Sequence, residues 1–297
     1  MLRRCFAIEE KWGIMMLHIE NDDIRKHLLD GDFGLEKEGF RVLENGKFAH
    51  TPHPFPGDPH IVRDFSENQT EINTSVHNNV REAVEELALH SRRISDRLQK
   101  LSPKEYLWIF SNPPYIENEQ DIPVAVFEGE QESKTVYREY LSDKYGRYKM
   151  TFSGIHVNFS FSEELLKKDF QLQKEKDYTE YKNHLYLELA KKMALYGWLL
   201  VAVTAASPIM DSSFVEKGIY DRDVFTGMAS VRCSEMGYWN DFAPVFDYES
   251  IDAYVKSIQQ YVDKGNRYAW IIREQFQDGY VKKALRLAKE RQEKINV

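Results

Sequence analysis

The chain has 297 residues, with 40 Lys and Arg against 48 Asp and Glu, and its net charge of −8 argues against a general nucleic-acid or anionic-membrane binder. A composition 42% hydrophobic and 13% aromatic can bury a substantial core in one large or two ordinary domains, which excludes disorder, collagen and disulfide scaffolds. The two cysteines, Cys5 and Cys233, form no CxxC, so thiolate zinc sites and redox dithiols are excluded and a reducing, cytoplasmic setting is expected.

Residues 1–16 meet Glu9 and Glu10 before any apolar run forms, so they lack a signal-peptide core and read as an N-terminal extension. The adjacent Met15 and Met16 suggest an upstream translation start. Phe33 to Ala49 reads as two strands joined at Asn45-Gly46, a dipeptide that supplies the positive φ angles of a tight hairpin. Glu36 and Glu38 lie two apart, so the pleat puts both carboxylates on one face and turns Phe33 and Leu35 to the other. After a proline-rich loop from Thr51 to Pro59, Ile61 to Phe65 and Glu71 to Val76 read as extended segments that bring Asp64 and Glu71. A helix is expected from about Asn79 to Leu101, with Val80, Val84, Leu87, Ser91, Ile94 and Leu98 on one stripe and Asn78 or Asn79 as its cap.

Lys149 to Phe161 is the clearest strand, with Ile155, Val157, Phe159 and Phe161 expected on a core face and His156 on the polar one. Glu163 to Lys182 reads as a charged, solvated segment. The uncharged stretch from Met193 to Met210 approaches the length of a membrane span, yet Thr204, Ser207 and Pro208 make it a buried helix ending before Pro208. Ala229 to Cys233 is a short candidate strand, and Ser250 caps a helix through Lys264, with Ile251, Tyr254, Val255, Ile258 and Val262 on one stripe. Strands and helices in mixed order, joined by hairpins rather than regular βαβ units, predict an α+β fold with a largely antiparallel sheet.

The phosphate loop GxxxxGK[ST] and the motifs GxGxxG, HExxH and GxSxG are all missing, so a nucleotide must be held another way. Glu36, Glu38, Asp64, Glu71 and His156 remain, all on segments with a polar face, and hard oxygen ligands converging from adjacent strands suit Mg²⁺. On pattern alone the solvated face of an edge strand is the plainer reading of Glu36 and Glu38. A hydrogen-bonded structural histidine is likewise the plainer reading of His156, and Arg232 reads as the partner of an acid.

Longer blocks carry more. Gly34-Leu35-Glu36-Lys37-Glu38-Gly39-Phe40-Arg41-Val42, Thr51-Pro52-His53-Pro54 and Asp64-Phe65-Ser66-Glu67 followed by Glu71 resemble the opening of glutamate–cysteine ligases (γ-glutamylcysteine synthetases). Tyr137-Arg138 before Tyr145-Gly146, Ser153-Gly154-Ile155-His156-Val157-Asn158-Phe159-Ser160, Ala206-Ser207-Pro208, and Ser230-Val231-Arg232-Cys233-Ser234 through Gly237-Tyr238-Trp239-Asn240 continue the resemblance in order. It covers roughly Gly34 to Gly265, which implies a ligase-like domain over 17–265 and a divergent helical tail over 266–297.

The resemblance implies a glutamine-synthetase-like fold, in which a curved antiparallel sheet forms an active-site funnel with helices on its outer face. It implies ATP-dependent joining of the glutamate γ-carboxylate to the cysteine amine through a γ-glutamyl phosphate. Glu38, Asp64 and Glu71 would hold one Mg²⁺ or Mn²⁺, and Glu36 and His156 would contribute to a second that also touches ATP. Arg232 would lie near the reacting carboxylate and transferred phosphate; Phe65, Tyr137 and Tyr238 would shape the cysteine pocket, with Arg138 as a further substrate-site candidate. Family members carry a later glutamate-x-arginine-serine-leucine-aspartate block that supplies another ligand and a phosphate-binding arginine, and it is not found after Asn266. A complementary polypeptide or a second copy of the chain is therefore an expected partner. A ligase with another amine acceptor and a non-catalytic ligase-derived binding protein are the alternatives.

Overall fold

The computed structural model describes residues 17–174, 176–204, 210–216, 231–232 and 246–263. In chain order the elements are α1 (Asp22–Lys26), β1 (Gly31–Leu43), β2 (Ile61–Arg63), β3 (Gln69–Asn73), α2 (Val80–Leu98), β4 (Glu105–Trp108), α3 (Glu132–Tyr145), β5 (Ile155–Phe161), α4 (Glu163–Phe170), α5 (Tyr178–Thr204), α6 (Ser212–Glu216) and α7 (Ile251–Asp263). They belong to two compact units, one formed by Leu29–Ser162 with Leu200–Asp241 and the other by Met1–Leu28, Glu163–Leu199 and Phe242–Val297.

The first unit is built on a five-stranded sheet around β1, and every pairing in it is antiparallel. β3 pairs with Glu36 to Phe40 of β1, and β2 pairs with β3 beyond it. Two strands share the opposite edge of β1 in succession, β5 along Gly31 to Lys37 and β4 along Phe40 to Leu43. The α+β, antiparallel reading therefore holds.

The turn expected at Asn45-Gly46 is present: Gly46 has φ +81°, and Leu43 N–H donates to the Lys47 carbonyl at 2.8 Å. The second limb shrinks to one bridge, Val42 to Phe48, because the chain then enters Thr51–Pro59, whose prolines have no N–H for a ladder.

Two cores lie on opposite faces of the sheet. On one, Phe40, Phe48, Phe65, Ile116, Ile122, Phe152 and Phe214 pack together with Tyr137 at their margin. On the other, α2 covers Ile61 and Ile72 with Ile94 and Leu98, and Phe33 and Leu35 with Ala83. Asn79 caps α2, its side chain accepting from Glu82 N–H at 3.0 Å. The buried stripe is Ala83, His90, Ile94 and Leu98, rotated from the expected one, so Val80 and Val84 are exposed. The strands beneath a helix choose its inner face, and Ala83 permits the closest approach to Phe33 and Leu35.

β5 begins at Ile155 rather than Lys149, because Arg147–Thr151 is a 3₁₀ turn. Its expected core face is only half-buried, at Phe159 and Phe161, with Phe159 packed on Phe33 at a ring-centroid distance of 5.1 Å. Ile155 and Val157 are each 65% exposed, since the α2 contact centred on Ala83 does not reach them.

Arg41 and Glu105 are fully buried and paired at 2.8 Å. Thr51 holds both: its hydroxyl oxygen accepts from Arg41 at 2.9 Å and its hydroxyl donates to Glu105. The carbonyls of Thr51 and Glu67 accept from the other guanidinium nitrogen at 2.8 and 3.1 Å. The Thr51 block is therefore part of a buried polar joint.

In the other unit, α4 corrects the reading of Glu163–Lys182 as solvated: Leu165, Leu166 and Asp169 are buried, and so is Tyr181. Asp169 accepts from His18 N–H at 2.7 Å, Gln173 Nε2 at 2.7 Å and the Tyr181 hydroxyl at 2.8 Å, which pays for its desolvation. Ser250 caps α7 as expected, accepting from Ala253 N–H at 3.1 Å.

α5 is a helix through Thr204, but the expected burial of its apolar half is not seen: Leu195, Trp198, Leu200 and Val203 are exposed. That half is apolar around its circumference, so composition could not say which side, if any, packs. No described helix is long and apolar enough to cross a membrane. Pro208 and most of the candidate strand Ala229–Cys233 lie outside the described residues; Val231 and Arg232 stand in a bend and turn.

Candidate functional site

The centre of β1 sets the site. Its register places Glu38 opposite Glu71 of β3 and Glu36 opposite His156 of β5. Directly opposed residues of an antiparallel pair project from the same side, so the four polar groups share one face.

Glu36 accepts from Asn158 Nδ2 at 3.0 Å, and its other oxygen lies 2.9 Å from His156 Nδ1. The hydrogen bond to His156 holds the Glu36 carboxyl below its ordinary range, and the same bond raises the His156 imidazole. His156 Nε2 lies 3.7 Å from Glu38 Oε1.

Glu38 is almost buried, its side chain 9% exposed. It accepts from Gly154 N–H at 2.7 Å, and its Oε2 lies 3.6 Å from Arg232 Nη1. Burial and then repulsion from Asp64 raise its pKa. Burial followed by the charges of Asp64, Glu38 and Glu36 pushes Glu71 up to about 8. These carboxylates are crowded and short of positive charge, the condition that a bound cation relieves.

Two arginines border the acids. Arg138 of α3 donates from Nε to the Asp64 carbonyl, and its Nη2 lies 3.8 Å from the Asp64 carboxylate. The Phe127 ring supports its guanidinium at 4.8 Å. Arg232 donates to the Phe152 carbonyl at 3.0 Å and packs against the Cα of Gly154. Phe65 is buried in the core and Tyr137 is half-buried against it. Tyr238 lies outside the described residues.

The sheet thus brings together Glu36, Glu38, Glu71 and His156 with Arg232, while Asp64 acts on Glu38 and Glu71 through its charge. Sequence reasoning missed two supporting residues. Gly154 holds both Glu38 and Arg232, and Asn158 anchors Glu36, a role open to the polar alternation His156-Val157-Asn158. Among the described residues, the group of three ligand-bearing side chains with atoms within 4.8 Å of one another lies elsewhere: His60, Glu86 and His90. Its signal was the Glu86-x-x-x-His90 spacing on α2.

The model of the glutamate-cysteine ligase family matches residues 16–284. The glutathione biosynthesis bifunctional protein of Clostridium perfringens is 37% identical over 257 residues, covering 82% of this chain and 32% of that protein. Its counterpart from Listeria monocytogenes serotype 4b is 39% identical over 261 residues, covering 83% and 33%. Among solved structures, a bifunctional glutathione synthetase from Pasteurella multocida superposes with a TM-score of 0.70 and 32% identity, over 84% of this chain and 32% of that one. A glutamate–cysteine ligase from Francisella tularensis in complex with AMP gives 0.67 and 28%, over 79% and 48%. The chain spans about a third of the length of these curated relatives. With the family model matching most of its residues, this chain belongs to the glutamate–cysteine ligase family.

Proposed function

We propose that the chain carries the acidic wall of an ATP-dependent ligase, acting in the cytoplasm, that joins the γ-carboxylate of glutamate to the amine of cysteine, the first step of glutathione synthesis. The observation that carries this reading is the opposed pair Glu38 and Glu71, nearly buried, raised in pKa and bordered by Arg232.

The donor set fits divalent magnesium. Glu38, Asp64 and Glu71 offer only oxygens, and the repulsion among them falls when a cation enters. Glu36 and His156 would contribute to a second ion; with Nδ1 held by Glu36, Nε2 is the nitrogen left to ligate. An Mg²⁺ or Mn²⁺ ion held by these residues would supply positive charge to offset that of ATP phosphates as a carboxylate approaches them.

The chain's own groups position the reactants. Arg232, fixed between the Phe152 carbonyl and Glu38, presents its guanidinium where a glutamate γ-carboxylate and a transferred phosphoryl group gather negative charge. Arg138 fixes Asp64 by binding its carbonyl. The glutamate γ-carboxylate takes the γ-phosphoryl group of ATP as ADP leaves, and the neutral cysteine amine then attacks the acyl carbon, forming the amide as phosphate and a proton depart. Tyr137, Phe65 and Tyr238 are assigned to the cysteine side. Another amine acceptor is the enzymatic alternative. A ligase-derived subunit that is inactive without a complementary polypeptide bearing the glutamate-x-arginine-serine-leucine-aspartate block is the other.

ADP release measured with ATP and glutamate, with and without cysteine or other amines, tests the proposal. Cysteine-stimulated release supports it, and release stimulated equally by unrelated amines replaces cysteine with a broader acceptor. No release, even after addition of a polypeptide bearing that block, refutes catalysis.

A further inference from the structure

Away from the carboxylate wall, a second polar cluster joins the start of β2 to α2. His90 Nε2 lies 3.2 Å from Glu86 Oε1, and His60 Nδ1 lies 3.9 Å from the same oxygen. The His60 and His90 rings stack with centroids 5.0 Å apart. The side chains of His90 and Glu86 are 6% and 16% exposed, and that of His60, at the mouth of the cluster, is 35% exposed.

We propose that His60, Glu86 and His90 form a site for Zn²⁺ that ties β2 to α2. Two imidazoles and one carboxylate form a set suited to zinc rather than magnesium, and three protein ligands leave one position for water. Glu86 and His90 are four apart on α2, so they share one face of the helix.

The surroundings already orient these ligands. His60 Nδ1, the nitrogen 3.9 Å from Glu86 Oε1, donates to the Asn73 carbonyl at 2.9 Å, so the ring's lone pair is on Nε2 and that nitrogen is the one that ligates. Glu86 is fixed from behind: its Oε2 lies 2.5 Å from His77 Nε2 and accepts from Ser75 N–H at 2.9 Å, while the Ser75 hydroxyl donates to Oε1 at 3.1 Å.

Arg93 opposes the metal. Its Nη1 lies 2.8 Å from His90 Nδ1, and because a guanidinium only donates, Nδ1 accepts and the ring proton sits on Nε2, facing Glu86. Asp58 holds the other end of the guanidinium at 2.6 Å. Zinc ligation therefore moves the His90 proton from Nε2 to Nδ1 through solvent, leaving the ring neutral, and breaks the Arg93 contact. Removing Arg93 removes both a competing hydrogen bond and a nearby positive charge.

The test is calorimetric titration of Zn²⁺ alone into the full chain after treatment with a chelator, paired with thermal melts. A zinc site that persists with excess Mg²⁺ present to occupy the carboxylate wall is expected, with an increase in Tm. Glu86→Gln and His60→Gln should weaken it at least about tenfold. Arg93→Gln should tighten it, a gain that misfolding does not imitate, and His156→Gln should leave it in place. Zinc affinity unchanged in folded Glu86→Gln and His60→Gln variants, or lost in His156→Gln, overturns the proposal. So does the absence of zinc binding in both the parent chain and Arg93→Gln.

Discussion

The guanidinium of Arg232 lies directly over the Cα of Gly154: a β-carbon added at Gly154 would meet Nη1 at 2.8 Å and Cζ at 2.9 Å. The same glycine donates its N–H to Glu38 Oε2 at 2.7 Å and accepts from Glu38 N–H at 3.0 Å. One residue without a side chain therefore sets the distance between the acid and the base.

Gly154→Ala should push Arg232 aside while leaving the sheet intact. Glutamate-dependent ADP release should fall by about a hundredfold, since a shift near 1 Å costs that much where geometry is critical. Gly34→Ala is the control, because its β-carbon would meet only Asn158 Cβ at 3.8 Å. Unchanged activity in Gly154→Ala would show that the placement of Arg232 does not matter to turnover.

Arg232→Lys should lose most turnover and keep most ATP binding. A lysine ammonium lacks the fork that bonds the Phe152 carbonyl while facing Glu38. Steady-state kinetics and ATP titration on one preparation separate the effects, and parallel losses would make Arg232 part of the ATP site.

Glu71 predicts a pH dependence for the metal-free protein. Burial and the neighbouring carboxylates push its pKa in the folded chain up to about 8, from an ordinary value of 4.5. Between these two values the unfolded chain has lost a proton that the folded chain retains, so stability falls as pH rises from about 4.5 to about 8. Urea melts in EDTA should show this decline, and Glu71→Gln should flatten it. Mg²⁺ should also reduce it, because a cation lets the folded state ionise. A decline of equal slope in Glu71→Gln would assign it to other groups.

The buried pair Arg41 and Glu105 predicts a stability effect with little chemistry. Arg41→Met leaves an uncompensated carboxylate in the core and should cost about 3–5 kcal/mol, whereas Arg41→Met with Glu105→Leu should recover part of that loss. Chemical denaturation checks both, and a double variant no more stable than the single one would show that packing around Arg41 outweighs its charge.

Short-range physics made much of this protein legible before its structure. The period-two pleat put Glu36 and Glu38 on one face, Asn45-Gly46 marked the turn, and Asn79 and Ser250 marked helix starts, because each depends on backbone geometry and neighbours within a few residues. The ordered blocks from Gly34 to Asn240 marked the family for the same reason: they are strings of adjacent residues.

The family resemblance grouped Glu38 with Glu71 and Glu36 with His156, but only tertiary structure decided how they meet: Glu38 opposes Glu71 and Glu36 meets His156, 120 positions away, through strand register, which no local pattern encodes. It also decided that Ile155 and Val157 face solvent, that Arg41 is buried against Glu105, and that Glu86 and His90 find His60. Burial and electrostatic coupling depend on what the rest of the chain places within a few ångströms, and that distance is set by packing between segments far apart in sequence.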